Sequence, residues 1–127
     1  MRRIAVGIVV ILGVLGTSGS ALAGEHVDVP HAVDPGDKLK IMVRDCQSGD
    51  SWSAVILVRI EDPRDGELMD SALVDADDSG TTILKFKITS REYQGDRYKV
   101  YVKCLHEFDD GTQGTFWSDS ARFRVRD

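Results

Sequence analysis

Residues 34–46, DPGDKLKIMVRDC, set the fold. Pro35 presets φ for a turn and Gly36 is free to take positive φ, so Asp34 to Asp37 reads as a reversal of the chain. Leu39, Ile41 and Val43 then alternate with Lys38, Lys40, Met42 and Arg44, the period of two of a half-buried strand. The same alternation recurs three times. Thr82, Leu84, Phe86 and Ile88 alternate with Ile83, Lys85 and Lys87. Tyr98, Val100, Val102 and Cys104 alternate with Lys99, Tyr101 and Lys103. Ala121, Phe123 and Val125 alternate with Arg122, Arg124 and Arg126.

The remaining segments fit the same plan. Val27 and Val29 suggest a short first strand ended by Pro30. Ala54 to Ile60 is apolar on both faces at its start, as in a central strand, and Glu67 to Val74 is weaker, as at an edge. Asp62 to Gly66, Asp75 to Gly80 and Gln94 to Asp96 are turns, and Glu107 to Gly114 reads as a polar loop. No stretch has helical periodicity over an ordinary length. The expectation is an all-β, antiparallel immunoglobulin-like β-sandwich of about seven strands.

Residues 1–23 have the anatomy of a secretory leader. Arg2 and Arg3 precede the apolar run Ile4 to Leu15, and Ala21-Leu22-Ala23 is a small-x-small cleavage site. The apolar run is shorter than the roughly 20 residues a membrane span needs. The expected product is one secreted domain, residues 24–127, monomeric and without stable membrane insertion after cleavage. Losing Arg2 and Arg3 leaves 14 basic against 21 acidic side chains, a net charge of −7. Such a balance argues against nucleic acid as a partner.

Cys46 and Cys104 are the only cysteines, 58 positions apart, and in an oxidising compartment they form one disulfide most economically. Such a link restricts the unfolded chain by about 4 kcal/mol on the loop-entropy model. Cys46 has the parity of Lys40 and Arg44, not of Leu39 and Val43. Either a bulge near Arg44-Asp45 turns it inward, or it lies in the following loop and bridges across one end.

The run Asp34-Pro35-Gly36-Asp37 with Leu39, Ile41, Val43 and Cys46, then Asp77 to Gly80, then Gly95, Tyr98, Val100, Val102 and Cys104, resembles the small secreted immunoglobulin-like proteins of actinobacteria. The resemblance implies the sandwich fold and no active site. The chain lacks a tryptophan a dozen residues after Cys46 and has Val102 where antibody-type domains carry a tyrosine.

Asp75, Asp77, Ser79 and Gly80 match the first half of a calcium loop, but Phe86 stands where the bidentate glutamate belongs. A turn explains the same residues. His26, His31 and His106 are scattered and show no metal-ligand spacing. No nucleophile elbow or phosphate loop is present, so neither catalysis nor a cofactor is expected. Two surfaces are candidates for binding. Trp52, Phe108, Phe116 and Trp117 flank the cysteines, and a bridge would gather them at one end, as contact sites or as a cap on the core. Lys99, Lys103, Arg59, Arg122, Arg124 and Arg126 would share a solvent face with Tyr101, a site for an anionic partner or simply a solvated sheet. The expected function is binding of an extracellular protein or a cell-wall polymer, with inhibition of a hydrolase through a loop such as Glu107 to Trp117 as the second expectation.

The secreted protein should have the mass of a chain beginning at Gly24, and should take up thiol label only after reduction. A retained leader, or label entering the native protein, overturns this reading.

Overall fold

The computed structural model describes residues 21–23, 25–94 and 97–126. The residues of the expected leader up to 20, and Gly95 and Asp96 of one expected turn, lie outside the described residues. The described chain is all β, with strands β1 (Ala21–Ala23), β2 (Val27–Pro30), β3 (Ala32–Val33), β4 (Lys38–Arg44), β5 (Trp52–Asp62), β6 (Glu67–Asp75), β7 (Thr81–Lys87), β8 (Arg97–Phe108) and β9 (Gln113–Val125). They form two sheets, of order β1-β2-β4-β7 and β3-β9-β8-β5-β6.

The strand count exceeds the expected seven for two local reasons. The first expected strand is β2, which ends at Pro30 and pairs with β4, and an unexpected short strand, β3, follows it after His31 and pairs in parallel with β9 in the other sheet. Pro30, which has no N–H to donate, stands where the chain changes sheets. In addition, Ala21–Ala23 pair with Asp28–Pro30 and form β1, so the expected cleavage after Ala23 would remove that strand.

The alternating positions fill the space between the sheets. Leu39, Ile41, Val43, Ile56, Val58, Ile60, Val100, Val102 and Phe123 are all buried in one continuous cluster. Its aromatic part is Tyr98, stacked on Phe123 with centroids 5.6 Å apart and met edge-on by Tyr93 at 4.9 Å. Strand β5 is interior, flanked by β8 and β6, and β6 is an edge, as the apolar content of each implies. At the β5–β6 turn, Asp62 is only 4% exposed and receives the backbone N–H and the guanidinium of Arg64. That guanidinium holds the Asp62 carboxyl down to about 2.

Cys46 lies just past the second expected strand: β4 stops at Arg44, and Asp45 adopts a left-handed backbone with φ 61°. That single residue reverses the parity and turns Cys46 inward, where it is fully buried. Its sulfur bonds to that of Cys104, with the Cα atoms 5.7 Å apart, a separation that suits a bridge without backbone distortion. The bond ties the end of β4 in one sheet to β8 in the other. One expectation near the cysteines is corrected: Glu107 to Gly114 is not a loop. Strands β8 and β9 run on as a hairpin pairing Glu107 with Gln113 and His106 with Gly114. Only a tight turn remains, closed by the Phe108 N–H donating to the Thr112 carbonyl at 2.8 Å, with Gly111 at φ 89°. Trp117 lies within β9.

Replacing both cysteines by alanine should lower stability by about 2–5 kcal/mol, read as a shift of the urea midpoint. Adding reductant to the parent should reproduce most of that shift and leave the double variant unchanged.

Candidate functional site

The β8–β9 hairpin and the start of β5 carry the second sheet past the disulfide. Trp52 pairs with Phe108, Ala54 with His106 and Ile56 with Cys104. Directly paired residues share a face, so Trp52, His106 and Phe108 continue the inner face of that sheet outward from the core. The register shifts by one residue between Cys104 and Leu105: Thr115 faces Leu105, Trp117 faces Cys104, and Phe116 is the extra residue. A bulge of this kind re-aims a side chain.

Three rings gather on the His106 imidazole. Trp52 stacks on it at 5.1 Å with planes 26° apart, and Phe116 at 4.5 Å and 17°. Phe108 meets it edge-on at 6.3 Å. Gly114, opposite His106, places no side chain against the group. Trp52 is held from behind: its indole N–H donates to the Gln47 carbonyl at 3.1 Å, and the ring lies against Gly49, where a Cβ would come within 2.3 Å of the indole. The outer surface of the group is open, with Phe108 40% and Phe116 61% exposed. The His106 Nε2 atom is buried and has no hydrogen-bond partner among the described residues.

Trp117 goes elsewhere. It stacks on His26 at 4.4 Å and donates its indole N–H to the Asp45 carbonyl at 2.8 Å. The Asp45 carboxylate lies 3.1 Å from His26 Nδ1. Of the four aromatics expected at this end, three surround His106 and Trp117 packs partly against the core. The sequence names Trp52, Phe108 and Phe116, but no local pattern marks His106, Gly49 or Asp45 as the residues that organise them.

The basic face is a separate surface. Arg59 pairs with Tyr101, and Tyr101 with Ser120; Lys99 pairs with Arg122, and Arg97 with Arg124. These side chains lie on the outer side of the second sheet, opposite the face that bears the His106 group. Part of the charge is answered locally. Arg59 meets Glu61 at 2.8 Å, Arg126 meets Asp34 at 3.0 Å, and Lys99 Nζ lies 4.8 Å above the Tyr101 ring.

In the segment that matches half a calcium loop, Asp77 Oδ1 accepts the Ser79 N–H at 2.9 Å, and this holds the Asp77 carboxyl below its ordinary range. The Asp77 N–H donates to Thr82 Oγ1 at 2.7 Å, and Gly80 has φ 89°. The residues serve a turn. No group of three or more His, Cys, Asp or Glu among the described residues could hold a metal ion.

Two outcomes follow from the His106 group. Gly49→Ala should dislodge the Trp52 indole, giving a red shift in tryptophan fluorescence and a stability loss of about 1–3 kcal/mol. Desolvation by the surrounding rings lowers the His106 pKa from 6.5, so the unfolded chain binds that proton at higher pH than the folded protein. The contribution of neutral His106 is present above the unfolded value and is lost as pH falls through it towards the folded value. The urea midpoint of the parent should therefore drop more between neutral pH and about pH 5 than that of His106→Leu, which has no imidazole to charge.

No family model matches the chain, and no curated protein matches it. Among solved structures, the chain is similar to the PmoD soluble domain from Methylocystis sp. ATCC 49242. The identity is 10% over 85% of this chain and 98% of that one, with a TM-score of 0.45.

Proposed function

We propose that this protein is a secreted, monomeric, non-enzymatic immunoglobulin-like binding module whose contact surface is the aromatic end around His106. The strand order supports the immunoglobulin-like reading: the short neighbouring strands β2 and β3 belong to opposite sheets, and a disulfide joins the sheets. The disulfide and the leader-like N-terminus support export, and among the described residues no helix is long and apolar enough to cross a membrane.

The observation that carries the binding role is the exposure of Phe116 and Phe108 on a rigid support. Large apolar side chains that are held in place and still open to water are typical of recognition surfaces. Phe116 is fixed by a bulge and by stacking on His106, so little side-chain freedom is lost on contact. The partner is an extracellular protein or a cell-wall polymer. Inhibition of an extracellular hydrolase is the second reading, favoured by the shape of the β8–β9 hairpin, which projects beyond the disulfide and bears Phe108 near its tip.

Immobilised oxidised protein should retain a component of the wall fraction or of the culture medium. Phe116→Ala and Phe108→Ala should weaken retention of that component by about tenfold or more, a loss of about 1.4 kcal/mol or more, while Arg122→Gln with Arg124→Gln leaves it unchanged. Retention that survives both phenylalanine changes overturns this assignment. Stoichiometric inhibition of a hydrolase, abolished by the same two changes, would establish the second reading over the first.

A further inference from the structure

The outer face of the first sheet carries a charge arrangement that neither the core nor the aromatic end requires. The β4–β7 register sets Lys38 opposite Lys87 and Lys40 opposite Lys85. All four side chains are exposed, and none of them forms an ion pair among the described residues. Like charges directly opposite one another on neighbouring strands are destabilising. The chain is acidic overall, with 21 Asp and Glu against 16 Lys and Arg, so neutralising partners were available in composition. The acidic residue on this sheet that does meet a base, Asp28, is engaged by Arg44 and by none of the four lysines.

Strand geometry fixes the layout. Same-face residues two apart on a strand are separated by about 6.7 Å, and neighbouring strands by about 4.8 Å. The lysine stems therefore rise from the corners of a small, nearly flat rectangle whose long side runs along the strands. We propose that this rectangle binds a linear polyanion, such as a polyphosphate, whose closely spaced negative groups can meet successive lysines about 6.7 Å apart along each strand, laid along β4 and β7 and held by Lys38, Lys40, Lys85 and Lys87. A single small anion gains little from exposed lysines in water. A polymer neutralises several at once and releases its own condensed counterions. The patch is also far smaller than the roughly 800 Å² per partner of a stable protein interface. This surface is distinct from the His106 group, and the proposal stands whether or not that group binds a partner.

The test uses the oxidised protein and end-labelled long-chain polyphosphate, followed by fluorescence anisotropy over a range of salt. Binding should weaken linearly in log–log form with a slope of about −3, the value for four contacts on a flexible strand. Changing all four lysines to glutamine should weaken binding by about tenfold or more and flatten the slope. The same change should leave the thermal midpoint equal or higher, because repulsion is removed. Lys40→Gln with Lys85→Gln should give an intermediate loss, and changing all four to arginine should retain binding. Arg97→Gln, Arg122→Gln and Arg124→Gln together, on the other sheet, should leave affinity within about twofold, although polyphosphate contacts any accessible cation. The proposal is overturned if the parent does not bind polyphosphate at low salt, or if both sets of variants lose binding equally. It is also overturned if orthophosphate competes as well as the polymer per phosphate, or if the parent prefers anionic lipid vesicles.

Discussion

The left-handed backbone of Asp45 is the constraint on which the rest of the structure depends. Aspartate tolerates this conformation better than most residues, though at some cost. What it obtains is a change of parity in a single step. Without it, Cys46 would follow Lys40 and Arg44 to the solvent side and could not reach Cys104. The same residue then uses its remaining polar groups, with its carbonyl fixing the Trp117 indole and its carboxylate facing His26. One backbone angle thus joins the two sheets and positions the ring that closes the core beside the bridge.

The division of charge has a similar economy. Carboxylates occur mainly in turns, where they accept nearby backbone N–H groups, as Asp62, Asp77 and Asp110 do. Lysine and arginine occupy the outward strand positions, where their long stems cover apolar surface and their charges stay hydrated. A chain that is acidic in sum therefore presents two basic broad faces and acidic ends. Net charge describes neither surface, and long-range attraction depends on the face presented.

Much of the fold was legible in the sequence because its strands are half-buried and alternate cleanly. Leu39, Ile41, Val43, Tyr98, Val100, Val102, Ala121, Phe123 and Val125 all lie on the core side, as their spacing implies. The hairpin was not legible. Residues 107–114 extend past the core, so neither face selects apolar side chains and the period of two disappears although the backbone pairing continues. The candidate site was half legible. Its aromatics announce themselves by type, but their assembly on His106 depends on a register shift and on pairings between positions some fifty residues apart. The lysine rectangle is of the same kind: each strand shows its lysines, and only the pairing of 38–44 with 81–87 shows that they oppose one another.

The bulge at Phe116 separates two registers within one hairpin. From Trp117 onward, β9 is bound to the alternation of the core, whereas Gln113 to Thr115 answer only to the tip of β8. The tip is thus an exchangeable cassette, and its length and sequence can diverge between variants of this protein, or be grafted, without moving any residue of the interior to the wrong side. A deletion of the bulge residue itself would have the opposite effect, coupling the tip to the core and passing every change in the hairpin straight into the packing of the two sheets.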